Sequence, residues 1–116
     1  MDKFKAKGAV TLAHSAIAAT ATSAAISCEG YNGILVDVEF SGAQNWTFKV
    51  QGSTLENGTY KDLYEMVNTV TMTLMSYQCN ASRIFIFKGV PDWVKIVATE
   101  DVNGVSVTVR VQPINV

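Results

Sequence analysis

Apolar and polar residues alternate without a break from Val105 to Gln112. Val105, Val107, Val109 and Val111 share one face of an extended chain, and Ser106, Thr108, Arg110 and Gln112 share the other. β-Branched residues at period two are the strongest strand signal a single sequence offers. The same cadence recurs upstream. In Ile34–Phe40 the positions Ile34, Val36, Val38 and Phe40 face one way and Asp37 and Glu39 the other, while 45–51 turns Trp46, Phe48 and Val50 inward and Thr47, Lys49 and Gln51 outward. With Ser41-Gly42-Ala43 between them, these two segments read as a hairpin. Further strands are expected at 82–87 and 93–99. The first carries Ile84 and Ile86 on one face and Phe85 and Phe87 on the other, a pattern for a strand that is central or lies against a partner.

Turn chemistry separates these runs. Gly30-Tyr31-Asn32-Gly33 and Pro91-Asp92 punctuate the chain, Asn57-Gly58 suits backbone at positive φ, and Val102-Asn103-Gly104 predicts a last hairpin into the terminal strand. Residues 69–77 alternate weakly, and 60–68 fits a short helix almost as well as an irregular strand. Six to eight strands with turns every eight to twelve residues predict an all-β fold, an antiparallel β-sandwich of jelly-roll type.

Residues 1–27 follow another pattern. Nine alanines lie between Ala6 and Ala25, interleaved with Ser and Thr, and Val10, Leu12, Ile17 and Ile26 are the only larger aliphatics. No 3.6-residue stripe emerges, and the hydroxyl side chains compete with helical backbone bonding. The segment predicts an extended arm, pairing as a strand around Thr20 to Ile26, with its first dozen residues mobile until a partner holds them. A single sandwich domain over residues 28–116 follows it. Lys3, Lys5 and Lys7 precede the alanine-rich run, but Thr11, His14, Ser15, Thr20, Thr22 and Ser23 interrupt it, so it lacks the apolar centre of a secretory signal. It is also too polar to span a bilayer.

At 116 residues the chain suits one domain, whose core buries roughly two-thirds of the surface that the unfolded chain exposes. A net charge of −1, with both signs scattered, gives no field to collect nucleic acid or anionic membrane. Neither is expected as a partner. Cys28 and Cys79, 51 positions apart, are expected as free thiols, because a domain of this length folds without a staple.

Candidate chemistry is sparse. His14 is the one histidine and falls in the arm, far from any rigid base-and-nucleophile arrangement. One histidine with two distant cysteines makes no structural zinc site. Asp37 and Glu39 have a spacing that calcium could use, but they fit solvated positions of a sheet better. The glycines of Gly30–Gly33 lack the third glycine and following helix of a phosphate loop. No catalytic residue, metal site or cofactor is therefore expected. Tyr31, Tyr60, Tyr64 and Tyr77 could line a sugar-binding platform, the carbohydrate-binding alternative, though strand aromatics more often serve core or interface. Trp46 and Trp93 alternate with apolar neighbours and are expected in the core.

Several stretches together resemble small accessory virion proteins of tailed bacteriophages: SAIAATATSAAIS (15–27), GILVDVEF (33–40), WTFKVQGS (46–53), NGTY (57–60), PDWVKI (91–96) and VSVTVR (105–110). The resemblance is one of cadence over most of the chain. It implies a non-enzymatic β-sandwich module of the virion, put together in the host cytoplasm, that decorates and stabilises the outside of an assembled head. Its implied partners are the major capsid protein or other virion subunits, with a homo-oligomer, often a trimer, as the working unit. A tail or baseplate component would look similar. An arm of small residues can order along a neighbour in exchange for contact repeated across a lattice. Val10, Leu12 and Ile17 of the arm, with the Phe85/Phe87 face, are accordingly the candidate interface.

Overall fold

The computed structural model describes residues 7–66, 68–101 and 105–116. In chain order the strands are β1 (Thr11–Ile17), β2 (Ala21–Thr22), β3 (Ile26–Ser27), β4 (Gly33–Phe40), β5 (Trp46–Ser53), β6 (Lys61–Asp62), β7 (Tyr64–Met66), β8 (Met72–Leu74), β9 (Ser76–Cys79), β10 (Arg83–Lys88), β11 (Trp93–Glu100) and β12 (Val107–Ile114). No helix occurs among the described residues. A first sheet has the order β1-β12-β4-β10. A second has β2-β11-β5-β6, with β3 beside β2 on β11 and β9 beside β6 on β5. Strands β7 and β8 form a separate hairpin, and every pairing is antiparallel.

Period-two alternation produces this sandwich directly. Ile34, Val36 and Val38 of β4 and Val107, Val109 and Val111 of β12 are buried from the first sheet, against Trp46, Phe48 and Val50 of β5 and Val94, Ile96 and Ala98 of β11 from the second. Each fully buried aliphatic or aromatic side chain contributes about 1.5–3 kcal/mol through water exclusion. Val105, just before β12, is buried with the other three valines, so the alternation of the terminal segment is a core face and a wet face.

Pairing departs from the expected hairpin. Strands β4 and β5 lie in different sheets, and Ser41–Asn45 carries the chain across the sandwich between them. Both strands have one fully apolar face, and two such faces satisfy each other by packing together, whereas a hairpin would leave both needing a cover. Trp46 is fully buried, but Trp93 sits half-buried on the outer side of β11, because Val94 and Ile96 take the inward positions. Gly30 has the positive φ expected of its turn, at +85°. Gly58 does not have one. It sits instead at a close approach, where a Cβ would meet Ser53 Oγ at 2.5 Å and displace a hydroxyl that is hydrogen-bonded to the Leu55 backbone. The turn expected at Val102-Asn103-Gly104 lies outside the described residues.

The alanine-rich segment is extended, and it is built into the body of the fold. Gly8 donates its N–H to the Pro113 carbonyl at 2.8 Å, β1 then runs along β12, and β2 and β3 cover the edge of β11. Thus 11–27 belongs to both sheets, and neither a projecting arm nor a boundary at residue 27 describes it. Small side chains suit the crossing, where the chain leaves one sheet and joins the other. At that crossing His14, buried on β1, donates from Nε2 to the Ile96 carbonyl oxygen of β11 at 3.0 Å. Ser23 closes the same node, donating its N–H to the Ile96 carbonyl and accepting the Ile96 N–H on its hydroxyl, each at 2.9 Å.

Cys28 and Cys79 are both buried free thiols. Burial pushes the Cys28 thiol up to about 11, and the Asp92 carboxylate adds to the rise; burial also raises Cys79. A thiol held protonated is a poor nucleophile. Ellman's reagent at pH 8 is expected to find no fast-reacting thiol in the folded protein and two per chain in denaturant; one rapid equivalent without denaturant would contradict this placement.

Candidate interaction face

The outer surfaces of the two sheets differ. On the second sheet, Thr47, Lys49, Gln51 and Lys95 face outward, and Lys49 Nζ stands 3.1 Å from the Asp62 carboxylate. A hydrogen bond from the Gln51 side chain, then one from Lys49, hold the Asp62 carboxyl below its usual range. The Lys95 ammonium lies 4.3 Å from the Tyr60 ring centroid. This surface sets locally satisfied polar groups beside the half-buried Trp93 and Val97.

On the first sheet, register places Leu12, Arg110, Asp37 and Ile84 in one row across all four strands. The next row sets Gln112 beside Leu35 and Leu35 beside Ile86. Residues directly opposite in a ladder share a face, so these side chains form one surface. Val10 is 58% exposed, Leu12 54%, Ile84 60% and Ile86 42%. Arg110 pairs with Glu39 down the middle, an exposed contact of small energetic weight. A cleft of about 200 Å³ opens between Val10, Leu35, Asp37, Arg110 and Gln112. The face thus has a charged central rib with exposed aliphatics on both flanks, a composition suited to burial against a protein surface.

Of the five candidate interface residues, Val10 and Leu12 lie on this face. Ile17 pairs with Val107 and turns partly into the core. Phe85 and Phe87 do not form the exposed side of β10: the Phe85 ring lies tilted 4.8 Å from Tyr77 and 6.3 Å from Phe48, and Phe87 meets Phe85 edge-on at 5.5 Å. Ile84 and Ile86 are the pair left in solvent. Both faces of 83–88 are apolar, so alternation alone carries no parity; the larger aromatic rings fill the sandwich interior and the isoleucines face out.

The four tyrosines form no platform. Tyr77 packs inside on Phe85, Tyr60 lies over Lys95, Tyr31 sits in the turn before β4, and Tyr64 is on the β7–β8 hairpin. His14 is the buried clamp described above. Among the described residues no cluster of His, Cys, Asp or Glu could hold a metal ion, and no helix is long and apolar enough to cross a membrane. A groove of about 520 Å³ lined by Ser53, Leu55, Thr59, Lys61, Asp62 and Pro91 lies outside the sequence-derived candidates. Its lining mixes a loop and the short β6, which have no periodicity to announce them.

No protein-family model matches the chain, and no curated protein matches it. Among solved structures, the chain is similar in fold to the SPBc2 prophage-derived protein YomS, with a TM-score of 0.63 and 18% identity over 95% of this chain and 94% of that one. At that identity the likeness is one of fold, and it extends over the whole sandwich, the N-terminal segment included.

Proposed function

We propose that this chain is a non-enzymatic structural protein of a phage particle, which decorates and stabilises the outside of the assembled head by docking on the capsid subunits. The observation that carries this reading is the outer face of the first sheet, where Val10, Leu12, Ile84 and Ile86 stand exposed on either side of the Arg110–Glu39 rib. A sandwich of this size needs each strand to bury one face only, so aliphatics on the second face of both outer strands call for an external partner. A fold shared end to end with a prophage-derived protein supports the phage setting.

Electron microscopy of the source particle tests the location. Density for the domain on the shell supports the reading, density on the tail or baseplate transfers it there, and density on neither overturns it. The face itself is tested by Val10→Lys/Leu12→Lys, two changes at side chains already in solvent. Capsid binding is expected to weaken at least about tenfold, the equivalent of ~1.4 kcal/mol, with an unchanged circular dichroism melt. Undiminished binding would remove this face from the proposal.

A further inference from the structure

A β-sandwich has four sheet edges, and three of them here are short or broken. Both edges of the second sheet are made of short pieces: outside β11, β3 pairs at Trp93 and Val94, Ser23 takes both backbone groups of Ile96, and β2 pairs at Val97 and Ala98. Outside β5, β9 pairs from Trp46 to Lys49, Met75 and Leu63 take the Val50 backbone, and β6 pairs at Gln51 and Gly52. The β1 edge is broken by two register shifts and by Ala16 at φ +48°. Bulges of this kind spoil an edge as a template for pairing.

The fourth edge, β10, has none of these devices. Arg83 to Lys88 runs in unbroken register along β4, with no proline, no bulge and no strand on its far side among the described residues. Half of its backbone N–H and C=O groups therefore point away from β4 into solvent. Its side chains are Ile84 and Ile86 on the outer face and Phe85 and Phe87, each still partly exposed, on the inner.

We infer that β10 pairs antiparallel with β10 of a second copy of this chain, joining two first sheets into one eight-stranded sheet across a twofold axis. Such an axis, normal to the sheet, keeps inner faces on one side, so opposed residues must share a face. Centring it on Phe85 sets Phe85 opposite Phe85 of the second copy and Ile84 opposite Ile86 of the second copy. The strand's charges fit this register as well as its apolar residues do. Arg83 falls opposite Phe87 of the second copy and Lys88 opposite Ser82 of the second copy, so no cation faces another. The short segment is self-complementary, which a partner of different sequence would not require. Pairing also extends the shelter over Phe85 and Phe87, and it lines up four isoleucines on the outer face. The inference concerns self-association alone and stands apart from where the protein assembles.

Six residues make a small contact, so the dimer is expected to be concentration-dependent. Light scattering and sedimentation of the purified full chain should give a mass moving from one chain to two as concentration rises. Ile84→Lys/Ile86→Lys, which opposes like charges in this register, should raise the dissociation constant at least about tenfold with an unchanged melt. In an oxidising buffer Ile84→Cys/Ile86→Cys should cross-link into a reducible dimer, while Ile84→Cys alone should not. A chain that stays monomeric throughout, a trimer, or a dimer indifferent to the lysine substitutions would overturn the inference. A lysine-sensitive dimer that fails to cross-link would overturn the register.

Discussion

Phe48→Ala is expected to lower the unfolding free energy by about 3–5 kcal/mol, the range for removing a buried aromatic from a core. Phe48 is 1% exposed and sits where both sheets converge. Its ring meets Phe40 edge-on at 6.2 Å, Trp46 at 6.5 Å and Phe85 at 6.3 Å. Phe40 and Phe85 come from the first sheet, so truncation takes away the ring about which the two layers pack. β5 is held between β11 on one side and β9 and β6 on the other, so its backbone cannot collapse into the space. Domains of this class have only about 5–15 kcal/mol to lose. The urea midpoint should fall steeply with little change in slope. Phe85→Ala, at a partly exposed ring, should cost visibly less. Equal losses would mean that Phe48 is not the centre of the core.

The second large effect is expected at the polar node that ties β1 to β11. His14→Ala should cost about 2–3 kcal/mol, combining a lost hydrogen bond with a space left between the sheets. The Ile96 carbonyl keeps the Ser23 N–H in that variant, so no acceptor is stranded. Ser23→Ala acts differently. It removes the acceptor of the Ile96 N–H and leaves a buried donor alone, at a cost of about 1–3 kcal/mol. Because both side chains meet the backbone of one residue, their effects should not add. A double-mutant cycle on urea-unfolding free energies measures the coupling, and strict additivity would show that the two hold Ile96 independently.

How far the fold was legible follows from the range of the interactions. The strands β4, β5, β11 and β12 announce themselves because alternation is a local property, recorded within eight residues. Their pairing is not local. Nothing within 34–51 tells a hairpin from two strands facing across a core, since both outcomes bury Val36 and Phe48 alike. The N-terminal segment shows the limit most clearly. Its partners are far away: His14 meets Ile96 and Ala16 meets Thr108 across 82 and 92 positions. A run of Ala, Ser and Thr has no large apolar residues to predict such contacts, and it reads as unattached. The candidate face was half visible. Val10 and Leu12 stood out as large aliphatics in a run of small residues, whereas Ile84 and Ile86 required the parity of β10, which only its neighbours Tyr77 and Phe48 decide.

The position of β12 has a consequence for how the chain folds as it is made. β12 lies between β1 and β4, and it pairs with both along their lengths. Strand β1 therefore waits unpaired while the following ninety or so residues are synthesised, and the first sheet cannot zip beyond β4 and β10 until residues 107–114 have left the ribosome. Closure of such distant segments is slow relative to local structure, on the order of milliseconds to seconds. During that interval the nascent chain holds an orphaned first strand and an unfilled slot in its first sheet.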